Sequence, residues 1–199
     1  MYLKRLELNG FKSFAQRTII DFLPPRDGRF SITAVVGPNG SGKSNVTDGI
    51  RWVMGEQSMK SIRGKKSEDV IFSGSSAKGA MSMAEVTMVL DNSDRRVPEV
   101  DAEEIALTRR LYRSGESEYL VNNNAVRLLD IHLLMAKAQV AENSYSIVSQ
   151  GMIDKLLTVS PSERKDFFDE ACGIKEFQIK RHQADLKLNR TAEHLEQAR

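Results

Sequence analysis

Gly37, Gly40, Gly42, Lys43 and Ser44 fit the spacing G-x-x-x-x-G-K-[ST], with Pro38, Asn39 and Ser41 between them. A polyphosphate needs many N–H donors at close range, so a backbone that binds one must curl around it. Glycines permit that curl because no Cβ collides with chain or phosphate. Lys43 is placed to neutralise β- and γ-phosphates, and the Ser44 hydroxyl to ligate Mg²⁺. The setting is also right. Residues 32–36 (Ile-Thr-Ala-Val-Val) read as a buried strand, and residues 45–54 as a helix with Val46, Ile50, Val53 and Met54 on one face. An ordinary glycine-rich turn is the competing reading; it does not require a strand before and a helix after.

The rest of the chain must position this loop. Its 199 residues are 40% hydrophobic and 28% charged, as expected of one soluble domain with room for an appendage. A net charge of +2 creates no global basic field, so any nucleic-acid surface is local. The single cysteine, Cys172, excludes an internal disulfide and a cysteine zinc cluster, and reads as a small apolar helix residue. His132, His182 and His194 share no ligand spacing. No run approaches a membrane span and no apolar signal core follows Met1, so the expected location is cytoplasmic.

Strands are expected over 2–8 and 18–22, then at 70–72, 84–90 and 105–112, with 105–121 forming a hairpin. Helical spacing covers 127–138. Between them lies a loop carrying Lys60, Arg63, Lys65 and Lys66, which is either a solvated loop or a phosphate or nucleic-acid contact. Residues 86–91 imitate a Walker B strand ending in Asp91, but Asn92-Ser93-Asp94 reads better as a turn. Residues 145–151 read as a short strand with Gln150 at its end, well placed to reach a metal or water at the phosphates, although a solvent-facing glutamine is the common case. Ser160-Pro161-Ser162-Glu163 is a capping box with proline at N1. From Ile174 and Phe177 through Leu188 and Leu195 runs an imperfect heptad seam to the last residues, which predicts a helix that continues and seeks a partner; an amphipathic surface helix is the alternative.

Gly10-Phe11-Lys12-Ser13-Phe14, the loop from Val36 to Asn45, and Ile50-Arg51-Trp52-Val53-Met54-Gly55-Glu56-Gln57-Ser58 together resemble bacterial SMC (structural maintenance of chromosomes) proteins. Arg63-Gly64, the stretch 69–75, the stretch 112–119 and Ser149-Gln150-Gly151 extend the resemblance over nearly the whole chain. It implies an α/β fold: the N-terminal half of an ABC-type P-loop ATPase head, with a mixed sheet, a β-subdomain and a coiled-coil root. Residues 1–172 would form the lobe and 173–199 the start of the arm. Residues 37–45 would bind ATP, with Lys12 and Ser13 near the nucleotide. Ser44 and Gln150 would hold Mg²⁺, and Arg63 would match an arginine finger at the phosphates. Lys43, Gln150 and Arg63 would be the catalytic contributors. Lys65, Lys66 and Arg127 would face DNA, although a solvated role fits them equally.

The same resemblance implies partners: the C-terminal half of the head, a second head in a homodimer, kleisin-type subunits and DNA, with no membrane. The function implied is a DNA-binding Mg-ATPase of chromosome condensation, organisation and segregation, nucleoid-associated in the cytoplasm. Walker B, its glutamate and the signature motif do not occur here, so the chain by itself is expected to bind nucleotide without turning it over. A recombination-repair ATPase head of the same plan is the other reading. A DNA-facing loop predicts that exchanging Lys65 and Lys66 for Glu weakens DNA binding and flattens its salt dependence. Titration of labelled duplex at several salt concentrations measures both, and an unchanged affinity leaves the loop merely solvated.

Overall fold

The computed structural model describes residues 1–27, 29, 31–138, 147–148, 160, 165, 168–169, 172 and 174–197. The chain forms two compact units, Met1–His132 and Leu133–Arg199.

The first unit is built on a six-stranded antiparallel sheet. Its strands are β1 (Leu3–Asn9), β2 (Thr18–Asp21), β3 (Met83–Asp91), β4 (Glu104–Tyr112), β5 (Ser117–Val121) and β6 (Asn124–Val126), in the order β2-β1-β3-β4-β5-β6. Alternation sets the buried face. Leu6 and Leu8 of β1 stand opposite Met88 and Val86 of β3, and all four are buried. The expected hairpin is β4–β5, and Asn122 and Asn123 turn the chain into β6 with φ of 47° and 67°. That left-handed pair is where asparagine substitutes for glycine.

Helix α1 (Lys43–Val53) packs on the buried face of this sheet. Its apolar stripe includes Val46, Trp52 and Val53. Gly49 lies so close to β1 that a Cβ there would stand 2.6 Å from Leu8 Cδ2. Phe11 meets Trp52 at 5.3 Å between ring centroids. The C-terminal end of the helix is fixed by Arg109 of β4, which is 5% exposed. Its Nη1 donates to the carbonyls of Trp52 and Glu56 at 2.8 Å each. Its guanidinium stacks 4.6 Å from the Trp52 ring centroid and 4.9 Å from that of Tyr119. A buried cation is thus placed where helix carbonyls and two ring faces are all electronegative.

Two expected strands are absent. Residues 32–36 form no ladder with a described strand, and Ile32 and Val36 are 92% and 87% exposed. β-branched composition favours a strand, but backbone N–H and C=O groups need a neighbouring ladder to make one. Residues 70–72 give one isolated bridge, Phe11 to Ile71, after a short 3-10 turn over Ser67–Val70. The Asp69 carboxylate causes that tightening by accepting the backbone N–H groups of Lys65 and Lys66 at 2.7 and 2.9 Å. The Walker B imitation is a central antiparallel strand. Beyond it Asp91 accepts the Ser93 hydroxyl, and buried Asn92 donates to the carbonyls of Val97, Val100 and Ala102. That is the turn its residues suggest.

Helix α2 (Leu128–Lys137) follows the sheet. In the second unit, α3 (Lys175–Gln197) is mostly exposed, with Phe177, Leu188 and Leu195 each more than 60% accessible. Cys172 is exposed rather than packed. Apart from Ile147, Val148 and Ser160, the expected strand ending at Gln150 and the capping box fall outside the described residues. Among the described residues no helix is long and apolar enough to cross a membrane.

His132 lies against Gly55 just beyond α1. Burial pushes its imidazole below the ordinary value of 6.5, and a hydrogen bond to the Gly55 backbone pulls weakly the other way. The fold therefore favours the neutral ring. Its contribution is full above about pH 6.5 and is lost as pH falls through the lower folded value. Thermal melting should show Tm declining on acidification below about pH 6.5, less steeply in His132→Gln. Identical slopes would remove His132 from the pH dependence.

Candidate nucleotide-binding site

The glycine-rich loop enters α1 through two left-handed residues, Gly40 at φ 81° and Gly42 at φ 92°. Gly42 is the N-cap, and it offers no side chain to the helix's first N–H groups. No acidic residue occupies the first turn either. The first turn therefore has neither a side-chain cap nor an acidic residue to complement the positive end of the helix dipole. The Ser41 N–H closes the turn on the Pro38 carbonyl at 3.3 Å, with Asn39 at the tip. Lys43 curls back so that its ammonium donates to the carbonyls of Gly37 and Pro38, at 2.7 Å each. Ser44 is exposed in the same turn.

The loop tolerates no added bulk on its inner side. A Cβ on Gly42 would lie 2.7 Å from Ser13 Oγ, and one on Gly37 would lie 2.8 Å from Ser41 Oγ. These glycines are thus required by close approach as well as by conformation.

A second layer backs the loop. Asn45, in the first turn of α1, donates through Nδ2 to Ser13 Oγ at 2.9 Å. Its Oδ1 accepts from Arg63 Nη2 at 3.2 Å. Arg63 also reaches Asp48 Oδ2, from Nη2 at 2.5 Å and from Nε at 3.2 Å. The Lys12 ammonium donates to the same Asp48 oxygen and to the carbonyl of Ile62. Lys12 and Arg63 both adopt left-handed backbone, φ 49° and 55°, and each loop is pinned by main-chain bonds: Lys12 N–H to Val70 at 2.7 Å and Gly64 N–H to Met59 at 2.8 Å. Beyond them, the Asp69 carboxyl is held below the usual carboxylate range, first by the Lys66 and then by the Lys65 backbone N–H.

Tertiary packing therefore joins Lys12, Ser13, Asn45 and Arg63, from three separate stretches, to the loop of residues 37–44. Gln150 lies outside the described residues. Sequence reasoning passed over Asp48, the acceptor on which Lys12 and Arg63 converge. Its signal was available: an aspartate one helical turn before Trp52 and beside Gly49, on the face that is otherwise apolar.

Residues 2–157 match the family model of the RecF/RecN/SMC N terminal domain. The chromosome partition protein Smc of Bacillus subtilis is 47% identical over 195 residues, covering 98% of this chain and 16% of that protein. Its counterpart in Rhodopirellula baltica is 49% identical over 193 residues, covering 97% of this chain and again 16% of the relative. This chain thus spans about one sixth of the length of these curated relatives. Among solved structures, the Smc head with extended coiled coil bound to the C-terminal domain of ScpA, from Pyrococcus furiosus, superposes with a TM-score of 0.79 at 36% identity, covering 98% of this chain and 48% of that one. A chain from work on ATP-driven dimerization and DNA stimulated activation of SMC ATPases gives 0.74 at 35% identity, covering 86% of this chain and 99% of its own length. A RecF–ATP structure, at 19% identity and a TM-score of 0.55, shares the fold alone. With the loop, the sheet and identity along nearly its whole length in common, the chain belongs to the SMC family and has the fold of the N-terminal half of an ABC-type SMC head.

Proposed function

We propose that this chain is the ATP-binding half of an SMC head and contributes to a DNA-binding Mg-ATPase that organises and segregates chromosomes. The observation that carries the reading is the uncapped, acid-free N-terminus of α1, with Lys43 folded over its glycine loop. Such a site is built for a polyphosphate. Residues 37–45 cradle ATP, and Lys43 moves from the Gly37 and Pro38 carbonyls to the phosphates. Lys12 and Ser13 support the cradle from behind. Ser44 and Gln150 hold Mg²⁺, which when bound offsets phosphate charge. Arg63 adds positive charge at the reacting phosphate, where preorganised cations count most.

The chain on its own binds and does not turn over. The one acid at the end of a Walker B-like strand, Asp91, is committed to its own turn through Ser93, and the sequence carries no signature motif. The remaining groups come from the C-terminal half of the head and from a second head in a homodimer. Exposed Ile32, Val35 and Val36 support a missing neighbour beside residues 32–36. Exposed Phe177, Leu188 and Leu195 support a coiled-coil partner for an arm beginning near residue 173. The ScpA complexes of related heads support a kleisin partner. Lys65, Lys66 and Arg127 offer the local basic surface for DNA. The expected location is the cytoplasm, on the nucleoid.

Two measurements test this. Lys43→Ala should abolish ATP binding by calorimetry, and unchanged affinity would remove Lys43 from the site. Steady-state hydrolysis should be silent for the chain alone and appear on mixing with the C-terminal half of its head. Turnover by the chain alone would mean that it already holds a hydrolytic group.

A further inference from the structure

Asp48 has no role in the reading above, yet it is the most buried charged group around the loop, 5% exposed. One of its oxygens, Oδ2, receives the ammonium of Lys12 and both Nε and Nη2 of Arg63. The three side chains differ in exposure. Lys12 is 11% and Arg63 52% exposed at the side chain, so Lys12 is enclosed while the guanidinium keeps one edge open. Lys12 also grips the Ile62 carbonyl, tying α1 to the turn that presents Arg63.

From that oxygen a chain of contacts leads to the phosphate loop. Arg63 Nη2 touches Asn45, Asn45 touches Ser13, and Ser13 Oγ lies against Gly42. An arginine on a loop otherwise gives up rotamer freedom when it is ordered. A buried carboxylate that holds it in place beforehand spares that ordering on the way to the transition state, where Arg63 acts. Its negative charge also offsets the repulsion between the two cations that it gathers on one oxygen.

We propose that Asp48 is a positioning residue: its carboxylate fixes the Arg63 guanidinium, and through Lys12 the 60–64 turn, beside the N-terminus of α1. The proposal rests on the nucleotide-binding reading. Asp48 touches no phosphate; it acts through Arg63.

The test is a double-mutant cycle in the full-length protein, reading kcat and KM for ATP hydrolysis. Asp48→Asn should lower kcat about tenfold while moving KM by less than about twofold, since the loop itself is untouched. In an Arg63→Ala background the same change should have no further effect, because the group it positions is gone. A role confined to stability would lower kcat by the same factor in both backgrounds, and that result overturns the proposal. Because Asp48→Asn strips the shared acceptor from two cations, Asp48→Glu runs the same cycle if the amide variant does not fold. It keeps the charge but displaces it by one methylene, and the same non-additivity with Arg63→Ala is expected. Calorimetry on the unmodified protein separates the two levels. If it binds no ATP, the nucleotide reading falls and takes this proposal with it. If it binds ATP while the Asp48 and Arg63 effects multiply, only the positioning role is overturned.

Discussion

Helix α1 is held at its C-terminal end and its middle, and everything at the site follows from where it lies. At its C-terminal end the buried Arg109 guanidinium binds the Trp52 and Glu56 carbonyls and stacks on two aromatic rings. In its middle, Gly49 lets the helix settle onto Leu8 of the sheet. A cation enclosed by carbonyls and ring faces is costly to move, because leaving any of them exposes a charge to a poor environment. The sheet therefore sets the helix, and the helix sets the direction in which its uncapped N-terminus points. Precision at the phosphate loop comes from a core more than one helix-length of residues away in sequence.

The electrostatics divide along the helix. Arg109 complements the negative end, as a cation at a helix C-terminus should. At the positive end no acidic residue stands in the first turn, and Asp48 further along the helix is occupied by Lys12 and Arg63. The field at the loop mouth is left for an incoming anion. The same economy is seen in the Lys65–Asp69 turn, where a carboxylate is spent on backbone N–H groups and the lysine side chains remain available to solvent.

Two apolar features have no partner among the described residues. Residues 32–36 present Ile32, Val35 and Val36 outward, and α3 presents Phe177, Leu188 and Leu195. Scattered apolar exposure is ordinary, but β-branched residues next to a phosphate loop and a heptad seam on a long helix are organised exposure. Both agree with a chain that spans about one sixth of its relatives' length.

The sequence by itself determined the loop, because a glycine spacing with Lys and Ser is a covalent fact whose chemistry needs no fold to be recognised. It also determined β1, β3, the β4–β5 hairpin, α1 and α3, whose periodicities of two and near 3.6 are local. The resemblance drawn from its motifs named the family. Only tertiary structure decided the rest. Residues 32–36 carry strand propensity but gain no ladder, since a strand exists only by pairing. Residues 70–72 lost their strand to the Asp69 turn, a side-chain bond that no periodicity encodes. Asp48 drew no reading from its spacing; folding brought Lys12 and Arg63, distant in sequence, onto a single one of its oxygens. Arg109 is unremarked within its strand spacing, and its role arises because β4 carries it to the C-terminal end of α1. Charges acquire their roles from what surrounds them, and those surroundings are assembled across the chain rather than along it.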